Sequence, residues 1–366
     1  MENGLIGSSR FRRAPTAPAL SSRALRRWLV PGLVLAALAP LPLAGAKPAP
    51  RPFGVVDLHV DLAYETNYRG HAFAEGTGQF RAADLARAGV LGVVLPLFVP
   101  REVAPAGPRA SDYESSYARV YGELAKTPPF RLPGCLPRDG GVRTWLSFEG
   151  IGALAGTPEA LVGWAARGLR VLGPVHTKAN ELASSSGDPT PASFGLTARG
   201  ESFLRAAAGL GMLLDVSHAS TRATRDMLAL GAATGTPVIA THSNAVALAK
   251  HPRNLTDDEL RAIARSGGVV GVNFHERFVS DHKPATLDDV VRQVRHLVRV
   301  MGATHVALGS DFEGDIRPPA ELSDVTGYQR LAAALLAAGL DAGDVAKIMG
   351  ENALGLLCRA APGTAP

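Results

Sequence analysis

Eight short runs of β-branched and aliphatic residues, bounded by Gly or Pro and separated by segments of helical character, leave this chain few folds. They are VVDLHVD (55–61), GVVLPLFV (92–99), RTWLSFEG (143–150), LRVLGPVH (169–176), MLLDVSH (212–218), PVIATHS (237–243), GVVGVNF (268–274) and THVALGSD (304–311). Most are almost continuously apolar, which is how strands read when helices cover a parallel sheet. Eight such strands alternating with helices predict an α/β chain closed into a (β/α)8 TIM-type barrel. A doubly wound open sheet is the structural alternative, but no glycine-rich phosphate fingerprint follows the first strand.

Local signals mark several helix ends. Thr157-Pro158 puts a cap oxygen before a proline at the first helical position. Thr256-Asp257-Asp258-Glu259 reads as a capping box. Gly168, Gly211 and Gly267 stand where left-handed residues end helices. The Pro- and Gly-rich stretch 101–112 is expected to be a long loop over one face.

The formal charge of +5 would suggest a polyanion partner, were it not concentrated at one end. Residues 1–46 hold Arg10, Arg12, Arg13, Arg23, Arg26 and Arg27 against Glu2, so 32 basic and 32 acidic residues remain elsewhere. Nucleic acid is therefore not an expected partner. The same 46 residues have the order of an export signal: a basic stretch, the apolar run 28–46, and Ala44-Gly45-Ala46 at its end. Cleavage after Ala46 is expected, leaving residues 47–366 as a single catalytic barrel domain in the periplasm or outside the cell. An uncleaved anchor is the alternative, since the run is about as long as a bilayer span requires, but Pro31, Pro40 and Pro42 disfavour it. Cys135 and Cys358 could pair in an exported protein, and neither has metal-knuckle spacing.

A barrel carries its chemistry where its strands end, so the residues at those ends decide what it can do. They are His59 and Asp61 on the first strand, Glu149 on the third, His176 on the fourth, His218 on the fifth, His242 on the sixth and Asp311 on the eighth. Strand periodicity puts Asp57, His59 and Asp61 on one face. A lone strand-end histidine is usually structural. Carboxylates and several imidazoles converging on one mouth point instead to a metal, because buried charge is expensive unless paired or metal-bound. Imidazole and carboxylate without thiolate favour zinc or a similar divalent first-row ion. Five candidates exceed what one tetrahedral ion needs, and a carboxylate shared by two ions would use them all around a bridging hydroxide.

These residues resemble the membrane dipeptidase family, the renal-dipeptidase-type zinc hydrolases among the amidohydrolase-like barrels. The resemblance runs from about residue 54 to 357 and is strongest in DLHVD, HTKANELASSS (176–186), the segments 194–220 and 237–274, and HVALGSDFEG (305–314). It implies a metal-dependent hydrolase with two Zn2+, one held by His59 and Asp61, the other by His218 and His242, and Glu149 bridging both. His176 would stabilise the oxyanion, Arg253 would hold the substrate's terminal carboxylate, and Asp311 would move the proton. The implied activity is hydrolysis of dipeptides with a free carboxylate, by a metal-bridging hydroxide.

Asp57 and Asp215 are expected at most to support histidine ligands, and His71, His251, His282, His296 and His305 to be structural or exposed. The chain departs from the family pattern at Ile151-Gly152-Ala153 after Glu149-Gly150, at His275 where an aromatic residue is common, and in the second strand and the loop after it. These departures bear on substrate preference. Another amide, lactam or lactone hydrolase on the same dinuclear barrel is the alternative; a non-catalytic exported metal-binding protein is a third reading. A short peptide is the expected partner; membrane association through the leader and a homodimer are left open.

Overall fold

The computed structural model describes residues 52–132, 135, 140–154, 156–189 and 194–359. The export signal and the domain boundary expected at residue 46 lie outside them. Eight parallel strands make the barrel: β1 Val55–Asp57, β2 Val90–Leu97, β3 Val142–Glu149, β4 Leu169–Gly173, β5 Leu213–Asp215, β6 Val238–Ile239, β7 Val270–Val272 and β8 Val306–Leu308. Their order runs β6-β5-β4-β3-β2-β1-β8-β7, and a parallel bridge between Ala240 and Val270 brings the ends together. A two-residue strand, Phe130–Arg131, pairs alongside β3. The (β/α)8 expectation is met.

Apolar residues fill two regions. The lumen holds Val56, Leu58, Val94, Trp145, Val171, Leu213, Ile239 and Ala307, packed against Ala353, Leu356 and Leu357 of the C-terminal helix Asn352–Leu357. That helix plugs the barrel floor, and a disulfide between Cys135 and Cys358 fastens its end. The larger cluster lies between strands and outer helices, where Phe148 meets Tyr113 and Trp164 edge-on at 5.2 and 4.8 Å. Where β6 and β8 come close, only glycine fits. A Cβ on Gly309 would stand 1.7 Å from the Thr241 carbonyl oxygen.

Several strands are shorter than their apolar runs. The β1 ladder stops at Asp57 because that carboxylate accepts the N–H of His59 and of Ser310, both at 3.0 Å. The expected alternation also breaks there. Asp57 accepts from Tyr328 on the outer helix Gly327–Ala337, Leu58 enters the lumen and Val60 joins the outer core, which leaves His59 and Asp61 at the mouth. Asp57 therefore does not share their face.

The capping box at Thr256 and Glu259 forms, with Glu259 accepting from Thr256 N at 2.9 Å. Gly168, Gly211 and Gly267 are left-handed, with φ of 97°, 73° and 78°. Thr157 does not cap a helix. Its hydroxyl donates to the Leu154 carbonyl, and the helix starts later, at Ala160. The loop after β2 is shorter than expected, since residues 110–112 already belong to helix Ala110–Lys126.

Candidate metal centre

All eight residues singled out at the strand ends and in the loop after β6 line one cavity of about 420 Å³ at the C-terminal mouth. They are His59, Asp61, Glu149, His176, His218, His242, Arg253 and Asp311. Glu149 ends β3 and occupies the centre. Its Oε1 lies 3.3 Å from His218 Nε2 and 3.8 Å from His242 Nε2; its Oε2 lies 3.8 Å from His59 Nε2 and 3.9 Å from His176 Nε2. His59 Nε2 is also 3.6 Å from Asp61 Oδ2, and the Nε2 atoms of His218 and His242 are 3.1 Å apart.

Ordinary pairing does not account for these groups. Asp61 Oδ1 and Glu149 Oε1 are buried without a hydrogen-bond partner among the described residues, a costly state for a carboxylate oxygen. Burial, then repulsion from Asp311 and Glu149, holds the Asp61 carboxyl well above its ordinary range. Burial pushes Asp311 up to about 7, opposed by Asn273 and Arg253. Burial lowers the imidazoles, His59 to about 4 and His218 and His242 well below their usual value, so each offers a lone pair. Neutral imidazoles facing crowded carboxylates fit divalent cations of the first transition row.

Thr241 and Asn273, which the sequence did not announce, hold this set in place together with Asp215 and Asp57, from which support of the histidines was expected. The Thr241 hydroxyl donates to Asp215 Oδ2 and sits 2.8 Å from His242 Nδ1, so it accepts the Nδ1 proton and leaves Nε2 free. Asp215 thus acts on His242 through Thr241, while Asp57 ties the backbone of His59 to that of Ser310. Asn273 donates to Asp311 Oδ2 at 2.9 Å and accepts from His275 N at 2.6 Å.

The segment after β8 has unusual backbone. Asp311, Glu313 and Asp315 all have positive φ, at 67°, 69° and 55°, an arrangement that costs about 1–3 kcal/mol per residue and persists only where the surroundings impose it. Buried Glu313 supplies that constraint by accepting from Thr77 Oγ1 at 2.6 Å and Phe80 N at 2.7 Å. Gly314 leaves room for both acids, since a Cβ there would lie 2.6 Å from Asp61 Oδ2 and 2.8 Å from Asp311 Oδ1.

Arg253 is 7% exposed; one guanidinium nitrogen donates to the His242 carbonyl at 3.2 Å, and Nη1 has no partner among the described residues. Its plane lies 5.6 Å from the Phe278 ring, which also packs on His251 and His275. Phe98 stacks on Tyr64 at 5.2 Å and meets His176 at 4.6 Å, forming an aromatic wall. His296 pairs with Asp257 at 2.7 Å and His305 with the Gly268 carbonyl at 2.8 Å, away from the site.

Residues 45–361 match the family described as membrane dipeptidase, peptidase family M19. The chain is 42% identical over 218 residues to an uncharacterized protein in the pqqA 5' region of Klebsiella pneumoniae, covering 57% of this chain and 79% of that protein. It is 34% identical over 215 residues to an uncharacterized dipeptidase of Schizosaccharomyces pombe, covering 58% of this chain but only 52% of that protein. A metallo peptidase from Rhodobacter sphaeroides, solved with a phosphinate mimic of the dipeptide L-Ala-D-Ala, superposes with a TM-score of 0.72 at 27% identity. That superposition covers 84% of this chain and 99% of the other. With a match across nearly all of the barrel, the chain belongs to the membrane dipeptidase family of metallopeptidases.

Proposed function

We propose that this chain hydrolyses dipeptides bearing a free terminal carboxylate at a centre of two zinc ions. The observation that carries two ions rather than one is the way Glu149 divides the imidazoles, Oε1 toward His218 and His242 and Oε2 toward His59. His59 and Asp61 would hold one ion, His218 and His242 the other, and Glu149 both. When bound, such a pair polarises the scissile carbonyl and lowers the pKa of water.

The chain's own residues supply the rest. Arg253 presents an unpartnered guanidinium nitrogen to the terminal carboxylate. His176, the most open of the imidazoles at 28% exposure, donates an N–H to the carbonyl oxygen as its charge develops. Asp311 accepts a proton from water and returns it to the departing amine, with Asn273 donating to its Oδ2 at 2.9 Å and holding it in place. The likeness to a metallopeptidase liganded with a dipeptide mimic supports a substrate of this size.

The test is metal analysis on chelator-stripped protein reloaded with zinc, combined with a dipeptide panel. Two equivalents and release of free amino acids are expected. Two equivalents with every dipeptide uncut would remove the substrate assignment; saturation at one equivalent would remove the metal pair.

We further propose export, with the leader removed after Ala46. A disulfide between Cys135 and Cys358 suits an oxidising compartment. N-terminal sequencing of the protein from fractionated cells checks this, and an intact Met1 on cytoplasmic protein would overturn it.

A further inference from the structure

A second cavity, of about 530 Å³, adjoins the first. Arg101, Glu149, His176 and Thr177 line both, whereas Arg253 and Asp311 line only the first. This division gives the combined space a direction. A substrate whose carboxylate rests on Arg253 and whose scissile carbonyl reaches His176 sends its acyl side past His176 into the second cavity. A dipeptide does not need that volume.

The lining indicates what fills it. One wall is the loop Ala104–Pro108, and small residues such as Ala153 and Ala179 leave the space open. Three charges at its rim are exposed and form no ion pair among the described residues: Arg101 and Lys178, both cationic, and the carboxylate of Glu181. Glu181 reaches over the cavity-lining Gly152, where a Cβ would stand 2.5 Å from its Oε2. Asp188, by contrast, is already engaged by the N–H groups of Ala179 and Ser185. Being exposed, these charges are solvated without a partner, so an aliphatic acyl chain would gain nothing from them and a singly charged one would engage only one sign.

We propose that the second cavity receives the far end of an extended acyl group carrying both an ammonium and a carboxylate. The corresponding substrates are amides in which an amino acid is joined through its side-chain carboxyl to a C-terminal residue, as in a γ-glutamyl amino acid. Arg101 and Lys178 take the distal carboxylate, and Glu181 takes the ammonium. The reaction is the same hydrolysis: the amide C–N bond breaks, water's oxygen joins the acyl carbon, and its protons are shared between the amine and the new acid. This inference rests on the dipeptidase reading above.

The experiment compares γ-Glu-Ala, pentanoyl-Ala and Ala-Ala as substrates of the zinc-loaded enzyme. γ-Glu-Ala is expected to have a kcat/KM at least about tenfold above pentanoyl-Ala, since about 1.4 kcal/mol of charge recognition suffices for that factor. Ala104→Trp, which fills the cavity from a surface loop, and Lys178→Ala should each raise KM for γ-Glu-Ala about tenfold more than for Ala-Ala. Turnover of Ala-Ala confirms that each variant is folded. Turnover of Ala-Ala without turnover of γ-Glu-Ala, equal rates for γ-Glu-Ala and pentanoyl-Ala, or equal effects of both variants on the two peptides overturns the inference and leaves the dipeptidase reading standing. Failure to cut any of the three overturns both.

Discussion

Thr241 Oγ1 lies 2.8 Å from His242 Nδ1 and gives its own proton to Asp215, so one hydroxyl decides which nitrogen of His242 is free for a metal. Thr241→Val keeps the shape and removes that decision. Metal affinity at the His218–His242 side should fall by about 10–100-fold, the usual effect of losing such an outer partner. Zinc titration against a competing chelator reads this directly; an unchanged affinity means the tautomer is set elsewhere.

Asp311 is held by Asn273 at 2.9 Å in a strained left-handed position, where it can serve proton transfer without anchoring the fold. Asp311→Asn should lower kcat by about 10²–10⁴ while zinc content stays at the wild-type level. A loss of zinc in parallel with activity would assign Asp311 to the metal instead.

Arg253 contributes a planar donor pair that Lys cannot reproduce. In Arg253→Ala, KM should rise at least tenfold, a loss of about 1.4 kcal/mol, for dipeptides with a free carboxylate, and little for their amides. An unchanged preference for the free acid would rule out the clamp.

The Cys135–Cys358 bridge closes a separation of 223 residues and ties the plug helix to the barrel floor, and neither cysteine lines the candidate metal cavity. Cys135→Ser with Cys358→Ser should lower unfolding stability by about 2–4 kcal/mol and leave kcat/KM of the folded enzyme near wild type. Chemical denaturation alongside a dipeptide assay separates the two effects. A large drop in kcat/KM of folded protein would show that the floor transmits to the mouth.

Much of the site could be read along the chain because a barrel puts the end of every strand on one rim. His59, Asp61, Glu149, His176, His218, His242 and Asp311 each follow a recognisable apolar run, and the runs alone bring them to the same mouth. Thr241 and Asn273 lie in the same runs yet carry no local sign of their roles. Their importance depends on Asp215 and Asp311, 26 and 38 residues away.

The strands are shorter than their apolar runs for a related reason. Hydrophobic runs mark what is buried, but a ladder ends where side chains capture the backbone donors, as Asp57 does with Ser310, 253 residues downstream. Asp57 also stands apart from His59 and Asp61 because it accepts from Tyr328, 271 residues away.

Periodicity and punctuation in the amino-acid order were enough to specify an eight-stranded barrel, the capping box at Thr256, the left-handed helix ends and the chemical types at its rim, since these follow from neighbours within one turn or one strand. Which way each rim side chain points, which imidazole nitrogen is free, and where the loop after β2 opens a second cavity were settled only by tertiary packing. Those properties depend on the direction of hydrogen bonds between residues from 26 to 271 positions apart, which no single turn or strand brings together.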